Sequence, residues 1–311
     1  MSEIAKTEKK RTVNQRKMRE RLFLLSVWIY PAALFLVLYV YINFNSVLLA
    51  FKTYDARTYE YIFSGGFKNF AEFFDDIFHK SALKYAFRNS AMLTVVQYFL
   101  SLPLAIIISF FLYKKIFLAE TFKVIFFIPA IIPGIVWVTL YKYMLEYGIP
   151  AILKGIPDPR LLSNPDIAFY TLMTLNFWVG IGSTNLIYLG TMSRVPESLI
   201  ESGKLDGMTM FQELWHITIP LVFPIITISL ITIVYSLFLA DPGIYAYYGS
   251  DANFKLFTLN YYLFVQVIGK NATPDKYPYA AAGGLIFTVI VAPLTMLIRY
   301  LLEKFGPATE Y

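Results

Sequence analysis

The feature that most restricts this sequence is a series of long windows without Asp, Glu, Lys or Arg. An α-helix of about 20 apolar residues crosses a bilayer core of about 30 Å. Six windows meet or approach this length, and we expect each to form a transmembrane helix: Leu22–Phe51, Asn89–Tyr113, Val124–Tyr141, Ile167–Ser193, Leu214–Ala240 and Tyr277–Ile298. The windows therefore predict an all-α, polytopic membrane protein with six spans.

The composition supports this interpretation, because 57% of the residues are hydrophobic and only 15% are charged. Soluble domains are about half apolar and about a quarter charged. The chain has no cysteine, which excludes disulfides and thiolate sites. His79 and His216 are far apart in the sequence, so we expect no metal site.

A seventh uncharged stretch, residues 256–269, has only 14 residues. It is too short for a comfortable span, and we expect it to be either interfacial or re-entrant. This choice decides the topology, because six spans place both termini on the same side and seven would separate them.

The basic N-terminal segment, residues 1–21, contains eight Lys or Arg and three acidic residues. Beside a 30-residue apolar window it favours a cytoplasmic tail under the positive-inside rule over a nucleic-acid-binding arm. We expect both termini in the cytoplasm, membrane lipid as a partner and no nucleic acid. The predicted organisation is a tail (1–21), a first helix with an outer loop (22–88), a core (89–303) and a C-terminal tail (304–311).

Residues 195–220, between the fourth and fifth windows, are predicted to form a helix, a turn and a second helix. Glu197 and Glu201 lie one helical turn apart on one face. Asp206-Gly207 is typical of a turn, and Thr209 can cap the helix that follows. Such a short helix, held firmly against a membrane bundle, is suited to transmitting the motion of a partner.

This segment resembles the EAA motif of membrane subunits of ATP-binding-cassette importers. The motif is Glu-Ala-Ala, a Gly four residues after the second Ala, nine further residues and Ile-x-Leu-Pro. Glu201, Gly207, Ile217 and Pro220 stand at the matching positions, and Asp206 matches the usual Asp before the Gly. The departures are Ser202 and Gly203 for the two alanines and Ile219 for the leucine.

Weaker patches resemble the carbohydrate-uptake branch of these importers, in particular the first permease subunit of maltose-type and glycerol-3-phosphate-type systems. They extend the resemblance from about the first span to the C-terminus, and they are Phe67–Phe70, Phe126–Trp137, Tyr147–Ile149 and Tyr279–Gly284. The resemblance implies the type I importer permease fold and a multi-pass protein of a prokaryotic plasma membrane.

The resemblance also implies partners: a second similar permease, two copies of a cytoplasmic ATPase and an extracellular or lipid-anchored sugar-binding protein. ATP and Mg would be bound by the ATPase, because this chain has no Gly-x-x-x-x-Gly-Lys-Ser/Thr sequence. This chain would then be no enzyme and bind no cofactor. The residues expected to couple it to the ATPase are Glu197, Glu201, Ser202, Gly203, Asp206, Gly207, Phe211, Ile217 and Pro220.

Polar and aromatic residues of the fourth and fifth windows, together with Asp241 directly after the fifth, are candidates for the substrate site, since polar groups inside a bilayer are costly and often line a pathway. An aromatic plate with amides and hydroxyls suits a sugar, and maltose-type permeases use a similar Asn-x-Trp-x-Gly stretch. The candidates are Asn176, Trp178, Gly180, Ser183, Thr232, Tyr235, Ser236 and Asp241. For each, a purely structural role remains open, such as close helix packing at Gly180 or a hydroxyl bonded to its own helix.

Three other functions agree less well with the sequence. An importer for a non-sugar solute agrees with the EAA spacing but not with the carbohydrate-type patches. An intramembrane enzyme is less consistent with the sequence, because it contains neither a His-Glu-x-x-His nor a Gly-x-Ser-x-Gly motif. A scaffold protein leaves the EAA spacing unexplained.

Overall fold

The computed structural model describes residues 2–63, 66–152, 161–270 and 272–307, with side chains omitted for 2–17 and 130. Most of the predicted basic tail side chains and the end of the C-terminal tail, 308–311, lie outside this description. The described chain is mainly helical, as predicted, with one short β-hairpin. Its first elements are α1 (Ser2–Leu34, π-helical Phe35–Tyr41 and Ile42–Leu49), β1 (Thr53–Asp55), β2 (Glu60–Ile62), α2 (Lys68–His79) and α3 (Ser81–Val96, π-helical Gln97–Ser101 and Leu102–Tyr113).

The remaining elements continue the helical pattern to the end of the described chain. They are α4 (Ala119–Ile131), α5 (Gly134–Tyr143, π-helical Met144–Gly148 and Ile149–Ile152), α6 (Pro165–Met192), α7 (Glu197–Leu205), α8 (Met210–Glu213, π-helical Leu214–Thr218 and Ile219–Leu239), α9 (Ile244–Tyr248), a 3₁₀ turn (Phe254–Leu256), α10 (Leu259–Ile268) and α11 (Lys276–Phe305).

Three long helices, α3, α6 and α8, form the central core. Their buried contacts come from Leu102, Ile106, Phe110, Tyr188, Met192, Leu214, Val222, Ile226 and Ile233. Side-chain hydrogen bonds also join the helices inside this core. Ser109 Oγ donates to Asn185 Oδ1 at 2.9 Å, and the Tyr188 hydroxyl donates to Ser229 Oγ at 2.8 Å. Such interhelical bonds satisfy polar groups that would be costly to leave unpaired in a bilayer.

Prolines explain where three of the long helices widen. Among the described residues, three of the π-helical stretches end two residues before a proline, at Pro103 in α3, Pro150 in α5 and Pro220 in α8. A proline ring clashes with the carbonyl four residues earlier and provides no N–H. A locally widened turn accommodates both defects, so each helix continues through its proline.

The third predicted window is divided into two helices. Α4 ends at Ile131 and α5 begins at Gly134, and the two helices are bent by 99° relative to each other. Pro133 explains the break, because it cannot donate a helical hydrogen bond and it forces Ile132 into an extended conformation (φ −79°, ψ 131°). The third window therefore forms two helices separated by a sharp break and not one continuous helix.

The loop between the first two windows folds into a cap. Thr53–Asp55 pairs antiparallel with Glu60–Ile62, and α2 follows. Phe73 of α2 is fully buried against α10 and α11, with its ring 5.3 Å from that of Tyr279 and 5.5 Å from that of Phe287. Helix α3 begins beside this cap, directly after α2, and ends beside Lys114, which pairs with Glu213 in the first turn after α7, so the cap and α7 lie at opposite ends of α3.

Among the described residues, four helices are long and apolar enough to cross a membrane: Met18–Leu49, Ser81–Tyr113, Met210–Tyr248 and Lys276–Phe305. The bent pair α4–α5 makes a fifth if it counts as one broken span. The fourth predicted window corresponds to α6, which has 28 residues but is interrupted by polar residues. The count of six and the side on which the termini lie stay predictions.

Candidate functional site

Residues 195–220 contain helix α7, the turn after it and the beginning of α8, and we name them the EAA-like segment. Gly207 has φ +75°, a conformation that side chains rarely adopt. Its N–H donates to the Lys204 carbonyl at 3.1 Å, and the Met208 N–H donates to the Gly203 carbonyl at 2.9 Å. These two bonds form a Schellman motif, so the predicted turn at Asp206-Gly207 is confirmed.

One face of α7 packs against the beginning of α8. Ile200 and Gly203 are buried. A Cβ on Gly203 would lie 2.8 Å from Met208 Sδ and 3.1 Å from Ile217 Cδ1. A small residue at 203 therefore lets α7 approach α8 closely, and it brings Ile217 of the motif into direct contact with α7.

The other face of α7 is open to a partner. Glu197, Glu201, Ser202 and Asp206 are exposed. Leu205 is 89% exposed at the end of the helix. Phe211 is exposed on the first turn of α8 and meets Phe111 of α3 edge to face, with ring centroids 6.4 Å apart. The segment thus combines acidic and apolar groups on one exposed surface.

The first turn of α8 is fixed by its cap. Thr209 Oγ1 accepts from the Gln212 N–H, and Gln212 Oε1 accepts from the Thr209 N–H at 2.8 Å. This capping box satisfies two N–H groups that have no partner inside the helix. It confirms the predicted role of Thr209.

Glu213, in the same turn, was not predicted as a functional residue. Its carboxylate forms an ion pair with the Lys114 ammonium at the end of α3, and both side chains are largely buried. The sequence does place these two opposite charges beside the ends of two apolar windows, on the same predicted side of the membrane.

A cavity of about 290 Å³ lies between α5, α6 and the segment after α8. It brings together Asn176 and Asp241, which were both predicted for the substrate site. It also includes Trp137 of α5, which was not a candidate. We name it the Trp137 pocket, and its lining is Gly134, Ile135, Trp137, Val138, Leu175, Asn176, Val179, Asp241, Pro242, Gly243 and Ala246.

Hydrogen bonds and ring contacts hold the polar groups of this pocket in place. Asp241 Oδ1 accepts from the Gly243 N–H at 3.0 Å and from the Ile244 N–H at 2.8 Å. Trp137 Nε1 donates to the Pro129 carbonyl at 3.0 Å. The ring of Trp178 meets the ring of Trp137 edge to face, with centroids 4.9 Å apart and planes at 84°. Trp178 thus adjoins the pocket through Trp137.

The other predicted substrate residues are not assembled here. The hydroxyls of Ser183, Thr232 and Ser236 donate to carbonyls of their own helices, those of Gly180, Ile228 and Ile233. Tyr235 lines a separate, apolar cavity of about 420 Å³ between α8, α10 and α11. Thr232 lines two further cavities beside α8.

The glycines of α6 differ in role. A Cβ on Gly182 would collide with the Phe126 carbonyl oxygen of α4, so this glycine is needed for close helix packing. At Gly180 a Cβ would meet no atom within 4 Å. The sequence leaves a packing role open for both glycines, and the structure assigns it to Gly182.

Within the described ranges, no three His, Asp or Glu side chains are grouped so that they could hold a metal ion. The bundle of long apolar helices, with an exposed α7 at one end, is that of an integral membrane protein. The chain belongs to the family of binding-protein-dependent transport system inner membrane components, which matches residues 86–309. This family consists of transport subunits, and the match includes the EAA-like segment and the Trp137 pocket.

Several curated proteins are similar over most of their length. The multiple sugar-binding transport system permease protein MsmF of Streptococcus mutans is 24% identical over 89% of this chain and 94% of its own. The probable starch degradation products transport system permease protein AmyD of Thermoanaerobacterium thermosulfurigenes is 25% identical, over 77% of this chain and 80% of its own.

Solved structures share the fold. A chain of a bacterial ABC transporter involved in the import of the acidic polysaccharide alginate superimposes with a TM-score of 0.75 at 17% identity. The alignment covers 94% of this chain and 98% of that chain. A second structure, of a bacterial alginate ABC transporter in complex with an alginate pentasaccharide-bound periplasmic protein, gives 0.73 at 18% identity, over 93% and 96%.

Proposed function

We propose that this chain is the permease subunit of an ATP-driven importer that moves a sugar or oligosaccharide across a prokaryotic plasma membrane. The observation that carries the proposal is α7, which is exposed on one face and locked to α8 on the other through Gly203 and the Gly207 turn. The family match and the sugar-transport names of the relatives support it. In this proposal the chain crosses the membrane six times, and both termini are cytoplasmic.

The EAA-like segment is the coupling site for a partner ATPase. Glu201 supplies an exposed charge. Leu205 and Phe211 supply exposed apolar surface, which marks protein contact sites when it is contiguous. Because the Schellman turn and the buried Gly203 leave α7 little freedom relative to α8, a displacement of α7 moves the first turn of α8 with it.

In the complex this chain has four kinds of partner: a second similar permease, two copies of the ATPase, an extracellular or lipid-anchored binding protein, and membrane lipid. ATP and Mg are bound by the ATPase. ATP binding brings the coupling segments of the two permeases together and opens the cavity outward. The binding protein then releases its sugar into the cavity, and hydrolysis resets the pair by alternating access.

The Trp137 pocket is the part of this chain that contacts the sugar. Trp137 and Trp178 offer aromatic surface for the C–H faces of a pyranose ring. Asn176 and Asp241 offer an amide and a carboxylate for its hydroxyls. Pockets that combine aromatic walls with a few oriented polar groups are typical of small-molecule sites.

The test is purification followed by transport. The chain is tagged at its C-terminus and purified in mild detergent, and the proteins that co-purify with it are identified. The purified complex is then reconstituted in proteoliposomes together with its binding protein. We expect a second six-span permease and an ATPase to co-elute, and ATP to drive uptake from a panel of oligosaccharides. Glu201→Lys should abolish uptake while the protein still inserts.

The matched control is Glu120→Lys, at the beginning of α4, where Glu120 is exposed and pairs with Lys123 of the same helix. It should leave uptake unchanged. The proposal would be contradicted by a chain that elutes without an ATPase, or by normal uptake in Glu201→Lys.

A further inference from the structure

An ion pair connects the EAA-like segment to a helix outside it. Lys114 directly follows the last residue of α3, and Glu213 lies in the first turn of α8. Their side chains are only 15% and 8% exposed. An ion pair with so little access to water is difficult to separate, because either charge left alone keeps the cost of its desolvation.

Each charge is fixed to the end of its own helix. The Lys114 N–H donates to the Phe110 carbonyl at 2.9 Å, and Lys115 follows with φ +53°, which ends the helix. The Lys114 ammonium lies 5.7 Å from the ring centroids of Phe110 and Tyr113. The Glu213 N–H donates to the Thr209 carbonyl at 2.9 Å, inside the capped turn. The pair therefore joins two residues whose backbones are held at helix ends, and not two residues of flexible loops.

Apolar contacts beside the pair join the same two elements. Phe111 of α3 meets Phe211 of α8 edge to face. Leu214, directly after Glu213, packs in the core cluster with Phe110. By contrast, the pair Arg299–Glu303 lies within α11, with side chains 66% and 56% exposed, and connects no second element.

We propose that Lys114 and Glu213 are positioning residues that make α3 follow the EAA-like segment when it is displaced. This inference rests on the proposed function, since it concerns the path by which motion of α7 reaches the membrane helices. The sequence places α6 and α8 directly beside the segment, and the ion pair adds α3 as a third helix that moves with it.

The experiment measures the distance between a spin label on α7 and one on α3. The chain has no cysteine, so Ser198→Cys and Ile107→Cys give one label on each helix, both at exposed positions. The labelled chain is studied in the purified complex with its ATPase, with and without ATP. If α3 follows α7, the distance between the labels stays the same in both states.

Three variants and one control test the pair itself. Lys114→Met and Glu213→Gln should make the label distance change when ATP binds, and the exchanged pair Lys114→Glu with Glu213→Lys should restore the constant distance. Arg299→Met is the control and should behave as the unaltered chain. If the pair only stabilised the fold, replacing Lys114 or Glu213 would not make the label distance depend on ATP.

The outcomes separate the two proposals. An unaltered chain that assembles with no ATPase would overturn the proposed function. In a second outcome the complex assembles and hydrolyses ATP, with the same label distances in the single variants as in the unaltered chain. That result would overturn only the role of the pair. Variants that insert but fail to bind the ATPase would also overturn it, because the pair would then serve assembly.

Discussion

Met208 closes the turn after α7 over the backbone of Gly203. Its N–H donates to the Gly203 carbonyl at 2.9 Å, and its Sδ lies 2.8 Å from the position that a Cβ on residue 203 would occupy. The same two residues therefore provide a backbone bond and a side-chain contact. The EAA motif has an alanine at this position. Gly203 lacks the methyl group of that alanine, and the Met208 side chain occupies the space.

The size of residue 203 should decide how α7 sits on α8. Gly203→Ala should be tolerated, because the Met208 sulfur is the movable part of a flexible side chain. Gly203→Val should displace both Met208 and Ile217 and cost about 1–3 kcal/mol, as overpacking does. ATPase co-purification measures the effect, and Gly190→Val, where a Cβ meets no atom within 4 Å, is the control. Equal recovery of the ATPase with both substitutions at 203 would contradict this reasoning.

The left-handed conformation of Gly207 should be essential to the turn. Gly207→Ala should destabilise it by about 1–2 kcal/mol, because a Cβ is strained at φ +75°. Gly207→Asn should cost less, since asparagine adopts this conformation more readily than other side chains. Uptake per ATP hydrolysed, measured in proteoliposomes, should fall more for Ala than for Asn. The opposite order would show that the turn does not limit coupling.

Asp241 should set the charge preference of the Trp137 pocket. Of the pocket-lining residues in the described chain, Asp241 alone carries a charge, so an anionic sugar meets repulsion there. Asp241→Asn keeps an oxygen that accepts from the Gly243 and Ile244 N–H groups. It should raise uptake of a uronate oligosaccharide relative to a neutral one on the order of tenfold, or about 1.4 kcal/mol.

Competitive uptake of the two sugars measures this ratio. Asp251→Asn is the control, because Asp251 is exposed outside the pocket and pairs with Lys270. An unchanged ratio in Asp241→Asn would remove Asp241 from the substrate path.

The cap opposite α7 should depend on one phenylalanine and not on its neighbour. Phe73 is fully buried and Phe74 is 56% exposed. Phe73→Ala should destabilise the protein by about 3–5 kcal/mol, whereas Phe74→Ala should change stability by less than about 0.5 kcal/mol. Thermal unfolding in detergent compares them, and equal midpoints would show that the cap is not packed as described.

Local signals in the sequence predicted the EAA-like segment well. The turn at Asp206-Gly207 and the cap at Thr209 depend on the conformational preferences of a few adjacent residues, so short-range chemistry was sufficient. Four of the six predicted spans correspond to helices that are long and apolar enough to cross a bilayer. The sharpness of the break at Pro133 could not be predicted, because a proline in the sequence indicates a kink but not its angle.

Long-range contacts explain what the sequence could not predict. Spacing brought Ser183, Thr232 and Ser236 into the candidate list, but each hydroxyl is satisfied by its own helix. Trp137 reaches the pocket only because α5 turns away from α4. The pair between Lys114 and Glu213 joins residues 99 positions apart, and no pattern along the chain indicates which two charges meet.

The most direct test of the central claim is cross-linking from α7 to the partner ATPase. Leu205→Cys places a single cysteine at the exposed end of α7, and Tyr59→Cys places one at an exposed position of the opposite hairpin. With a short thiol-reactive photo-cross-linker in native membranes, Leu205→Cys should capture a protein with a P-loop, and ATP should change the yield. Tyr59→Cys should capture no ATPase. Capture of the ATPase from position 59, or its absence from position 205 in membranes that transport normally, would contradict the assignment of α7 as the coupling helix.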